Sequence, residues 1–142
     1  MPPSPRLKAT VDMEAYDRAC RDLRIVQPLV EVRQGNNPEG ARYGDYTAGL
    51  HRVRLYLGGI KGYELDGLRS AQTELVNTML HELRHAWQVM YRPEVWANHE
   101  AAEHDAEGWA IRNVANYRNI VRLSRSFPNS GFSRLSRHAV RR

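Results

Sequence analysis

The chain has 142 residues, 42% of them hydrophobic, and a formal net charge of +5, which is one domain's worth and enough to bury a core without staples. Its single cysteine, Cys20, excludes an intramolecular disulfide framework and a cysteine-built zinc knuckle, and reads as a small buried residue of an early helix. There is no apolar h-region in "MPPSPRLKATVDM" and no long apolar run anywhere, so neither a signal peptide nor a membrane partner is expected, and a cytoplasmic location is.

In chain order, residues 10–24 read as a helix with Thr10 as N-cap and Val11, Ala15, Ala19 and Leu23 on one face. "LVEVRQ" (29–34) alternates after Pro28 and reads as a strand, and "GNNPEG" (35–40) as a turn. "ARYGDYTAG" (41–49) and "LHRVRLYL" (50–57) read as two short strands of one antiparallel unit. In the second, Val53, Leu55 and Leu57 form an apolar face, and Arg52 and Arg54 a basic one. "GGIKGYELDG" (58–67) is a loop.

From about Ser70 the period changes to 3.6 and holds to about Tyr91, where Arg92-Pro93 interrupts it. A second helix is expected from about Asn98 to about Ser124, ended by "SFPNSG" (126–131). The expected class is α+β: an N-terminal helix and a small antiparallel sheet packed on two long helices. Residues 1–125 form the domain and residues 126–142 a basic tail. Residues 111–142 hold eight arginines and no acid, which leaves the rest of the chain at a net −3. Such an end suits contact with nucleic acid or an acidic surface.

The chemistry sits in "MLHELRHAWQ" (79–88). On a helix wheel Val76, Met79, Leu80, Leu83, Trp87 and Met90 make the packed stripe. His81 and His85 lie on roughly the opposite side, one turn apart, where two ring nitrogens can meet one metal ion. Glu82 lies on the flank, close enough to hold a water without being a ligand. A catalytic zinc takes three protein ligands and keeps one position for water, and a neighbouring carboxylate takes that water's proton.

The third ligand has to come from elsewhere. In "NHEAAEHDAEGWAIRN" (98–113), Ala102, Ala106, Trp109, Ala110, Tyr117 and Ile120 set the packed stripe of the second helix. Glu103 lies about 60° from its centre and His99 about 20°, so both can face the first helix, with Glu103 preferred. Glu107, one turn on, can support a histidine ligand by a hydrogen bond. Glu100, His104 and Asp105 point further away.

His81-Glu-Leu-Arg-His85 followed by Glu103-His-Asp-Ala106-Glu107-Gly-Trp109-Ala110 resembles the gluzincin metallopeptidases, in particular the small ImmA/IrrE-type members. The resemblance covers roughly residues 41–111. It implies a zincin-like fold, Zn²⁺ on His81, His85 and Glu103, and Glu82 as general base. It also implies that "HRVRLYL" is the edge strand that pairs with an extended peptide. Glu107 stands where related gluzincins often have Asp, and Arg84 where the ImmA/IrrE-type motif usually has a small residue. A second similarity is to SprT-like proteases, whose third ligand is a histidine; it would promote His99 and join proteolysis to DNA.

Oxyanion stabilisation would fall to Tyr91, His99 or Tyr63. Trp87, Trp96 and Trp109 are expected to pack around the two helices, one of them walling the cleft. With no P-loop, dinucleotide glycine pattern or Gly-x-Ser-x-Gly elbow, the expected function is a zinc endopeptidase acting on a specific intracellular protein. The alternative is a nucleic-acid-associated protein whose zinc is structural.

Overall fold

A computed structural model describes residues 6–39, 43–60 and 67–126. The chain is mixed α+β, with two small sheets and several helices. The stretch expected to open as a helix opens instead as a strand, β1 (Arg6–Val11), followed by α1 (Met13–Leu23). The cap is Asp12, not Thr10: its Oδ1 accepts from the Glu14 and Ala15 N–H groups at 3.1 Å each. Cys20 is buried on α1 as expected, and burial pushes its thiol up to about 12.

β1 pairs antiparallel with β5 (Val121–Ser126), at the other end of the described chain. This corrects the long second helix. The helix that starts at His99 ends at Asn113, passes through a 3-10 turn (Val114–Tyr117) and gives way to β5. In β5 the buried Val121 and Leu123 alternate with exposed Arg122 and Ser124. That period of two is too short to show against the helix before it. Arg122 and Arg125 therefore belong to the fold, and residues 127–142, nearly all of the expected tail, lie outside the described residues.

Gln72 on the long helix that follows helps to fasten this sheet to the rest, as does Gln34, which donates to the Leu7 carbonyl at 3.1 Å. Gln72 donates from Nε2 to the Val121 carbonyl at 2.6 Å and accepts the Leu123 N–H on Oε1 at 2.6 Å. Gln72→Ala removes these bonds and a third, from Nε2 to the Arg118 carbonyl at 3.2 Å, and is expected to cost about 2 kcal/mol, read as a lower urea midpoint with an unchanged slope. A variant as stable as its parent would show that the β1 ladder and apolar packing hold β5 without Gln72.

The second sheet has the order β2–β4–β3, with β2 (Leu29–Arg33), β3 (Gly44–Thr47) and β4 (Arg52–Tyr56). β3 and β4 pair antiparallel as expected, but β2 runs parallel to β4, so the sheet is mixed. β4 is consequently the central strand, not the edge. Its alternating pattern predicts a buried face, and Val53 and Leu55 are fully buried, but alternation says nothing about the order of strands. The connection from β2 to β3 is long enough to carry β3 to the far side of β4. A short helix, α2 (Leu57–Ile60), opens the stretch expected to be a loop.

α3 (Leu68–Tyr91) is the long helix that the period predicts. After the short α4 (Pro93–Trp96), the Asn98 side chain accepts the Ala101 N–H at 3.1 Å and starts α5 (His99–Asn113). α5 buries Ala102, Ala106 and Ala110, whose small side chains let its backbone come close to α3. α3 is thus covered on two sides, by sheet and by α5. This is why His85 and Glu82, which a single-stripe wheel leaves outside, are buried. Among the described residues no helix is long and apolar enough to cross a membrane.

Candidate metal centre

His81 and His85 stand one turn apart on α3, with ring centroids 4.8 Å apart and planes at 81°. α5 brings Glu103 opposite them. Its Oε1 lies 3.3 Å from His81 Nε2 and its Oε2 lies 2.7 Å from His85 Nε2. One ligand atom from each of the three falls within 4.8 Å of the others, so the group can hold a metal ion. His99, the alternative ligand, is exposed at the first turn of α5 and lies outside this group.

The hydrogen bonds around His85 fix which nitrogen it offers. Gln88 Nε2 donates to the Ala102 carbonyl and to Asp105 Oδ2, both at 2.9 Å, and both partners only accept. The Gln88 amide is therefore oriented, and its Oε1 is the atom 2.8 Å from His85 Nδ1. Nδ1 must carry the hydrogen and donate it. In the neutral ring Nε2 is then a bare lone pair, buried, without an aligned hydrogen bond, and 2.7 Å from a carboxylate oxygen. Two lone pairs at that distance repel, so either a proton or a metal ion belongs between them. The donor set, two imidazoles and a carboxylate, suits a borderline divalent ion.

This arrangement corrects one expectation. Asp105, expected to point away, is half-buried, and it accepts from Arg84 Nε at 2.8 Å and from a second Arg84 nitrogen at 3.2 Å. The Arg84 hydrogen bonds hold its carboxyl below the usual carboxylate range. His85 is supported by Gln88, which sequence reasoning did not name; Glu107, expected to support a histidine ligand, is exposed and lines the cavity together with His81. Gln88 was legible, because it follows His85 by three residues and shares its helix face.

Glu82 is buried, 4% exposed, yet it lines an open cavity of about 300 Å³ together with His81 and Glu103. Tyr43, Gly44, Asn77 and Thr78 complete much of that wall, and sequence reasoning named none of them. Glu74 lines it too, and burial pushes its carboxyl above the usual range. Gly44 allows the close approach of β3: a Cβ there would meet Thr78 Cγ2 at 2.7 Å, the Arg54 carbonyl oxygen at 2.9 Å and Glu82 Cγ at 3.4 Å. Gly44→Ala is therefore expected to push β3 off α3, costing about 1–3 kcal/mol and displacing Glu82. Thermal unfolding checks this, and an unchanged midpoint would mean that β3 yields freely.

Of the candidate oxyanion groups, Tyr91 faces elsewhere, its hydroxyl donating to the Arg24 carbonyl at 2.5 Å. Tyr63 lies outside the described residues. The tryptophans divide their work. Trp96 packs its ring 5.4 Å from His85 and 6.1 Å from Tyr46, joining α4 to the site and to β3. Trp87 and Trp109 flank the Arg84 guanidinium at 3.6 and 5.6 Å. His51 takes no part: Tyr46 donates to its Nδ1 at 2.7 Å, and its Nε2 donates to the Val26 carbonyl at 2.7 Å.

No protein family, curated protein or solved structure matches this chain. Any functional reading therefore stands on the site's own residues.

Proposed function

We propose that this chain is a zinc-dependent endopeptidase of the gluzincin kind, with a zincin-like fold, acting on a specific intracellular protein. The observation that carries the reading is the convergence of His81 Nε2, the buried His85 Nε2 and the Glu103 carboxylate on one point. His81, His85 and Glu103 would hold the ion. Zinc bound there would supply Lewis acidity, polarising a peptide carbonyl and lowering the pKa of a water.

The remaining steps belong to the chain's own groups. Glu82, buried on the cavity wall, takes the proton of the attacking water and hands it to the leaving amine. β3, the edge strand that borders the cavity through Gly44, takes over from β4 the role of pairing with an extended peptide. A structural zinc site has four protein ligands and no opening. Three converging ligands beside an open cavity with a buried carboxylate favour catalysis over the structural alternative.

Titration of the purified protein with zinc is expected to show about one tight equivalent per chain. Chelation should abolish cleavage of an unfolded protein substrate, and added zinc should restore it. No tight zinc, or cleavage indifferent to chelator, would overturn the reading.

A further inference from the structure

The tilt and tautomer of His85 are set by atoms further from the cavity than the ligands themselves. Arg84 is wedged between Trp87 and Trp109, and grips Asp105 through two nitrogens at 2.8 and 3.2 Å. Asp105 and the Ala102 carbonyl hold the Gln88 amide at 2.9 Å each, and Gln88 Oε1 stands 2.8 Å from His85 Nδ1. Gln88 is fully buried. Every link has a defined direction: arginine donates to aspartate, the amide donates to aspartate and to the carbonyl, and the imidazole donates to the amide oxygen.

We propose that Gln88, held in orientation by Asp105 and Arg84, is the positioning residue that keeps the proton on His85 Nδ1 and so aims a bare Nε2 at the metal site. Were the amide turned over, its NH₂ would face His85 and its oxygen would face two acceptors, so the contacts permit one orientation. The chain also ties α3 to α5 on the level of the ligands, because Arg84, His85 and Gln88 belong to one helix and Ala102, Glu103 and Asp105 to the other. Arg84 thereby gains a purpose at a position where a small residue would leave Asp105 without these two hydrogen bonds. Helix packing alone would explain a buried glutamine. It would not explain an amide whose free oxygen ends on a ligand's outer nitrogen.

The inference rests on the metal reading for its purpose, but the proton on Nδ1 is measurable without metal. In the full-length, metal-free protein at pH 8, long-range ¹H–¹⁵N correlation should show His85 with its proton on Nδ1. Gln88→Leu removes the acceptor and should move that proton to Nε2, where Glu103 lies 2.7 Å away. In zinc competition against a chelator, Gln88→Leu should weaken binding about 10–100-fold, the usual effect of losing an outer hydrogen-bonding partner. His104→Ala, at an exposed position, should change it less than twofold.

Asp105→Asn should weaken zinc in the same direction and by less, because one of its two side-chain oxygens survives as an acceptor. This variant serves if Gln88→Leu does not fold. A parent protein with a bare His85 Nδ1 would overturn the proposal, as would a folded Gln88→Leu protein that binds zinc like the parent. If the parent binds no zinc but shows Nδ1–H, the positioning holds and only the metal reading falls.

Discussion

Glu82→Gln is expected to leave zinc binding within about twofold of the parent while slowing peptide cleavage roughly 10²–10⁴-fold, about 3–5 kcal/mol in the barrier. The glutamine keeps the shape of the side chain and its hydrogen-bonding reach, and loses only the capacity to take a proton. Glu82 is not among the three residues whose ligand atoms converge, so the ion has no reason to leave. Its carboxylate is nonetheless buried, with its Cγ side packed toward β3 at Gly44. Replacing a buried charge by an amide should not lower stability, and thermal unfolding run beside the kinetics separates lost chemistry from lost folding. A closed structural zinc makes the opposite forecast, because there Glu82 has no water to act on. Undiminished cleavage by Glu82→Gln protein, free of contaminating protease, would remove Glu82 from the mechanism.

Glu103→Ala carries the second large effect. It deletes the anionic member of the converging group, the carboxylate that faces both His81 and His85. Zinc affinity should fall by more than the roughly 10–100-fold attached to an outer partner, and His81→Ala and His85→Ala should do likewise. His99→Ala, exposed and outside the group, should keep full zinc. The reverse pattern, with zinc lost in His99→Ala and kept in Glu103→Ala, would support the histidine-ligated, SprT-like alternative. Elemental analysis after gel filtration decides between them.

The convergence of His81, His85 and Glu103 was readable because side-chain chemistry and helical period agree. The pair is one turn apart on α3, and Glu103 stands on the flank of an alanine stripe that must face a neighbour. Asp105 was misread for a related reason. A helix wheel measures distance from the packed stripe and cannot see that Arg84, on the other helix, reaches across to meet it. The same limit hid the burial of His85 and Glu82, which follows from α3 being covered on two sides.

β5 and β1 escaped because their pairing joins residues more than a hundred positions apart. Neither strand has enough alternation to announce itself alone, and the Gln72 clamp that secures β5 is a long-range contact. Strand order escaped too. Val53 and Leu55 identify a strand with one buried face, but only the parallel pairing of β2 puts β4 in the middle and makes β3 the edge beside the cavity.

Anomalous diffraction at the zinc edge from crystals of the zinc-loaded protein tests the central claim most directly. The account predicts one strong peak per chain, within about 2.0–2.2 Å of His81 Nε2, His85 Nε2 and a Glu103 carboxylate oxygen, with Glu82 outside ligand distance. A peak held by His99 and His104 on the outer face of α5, or no peak between α3 and α5, would contradict it.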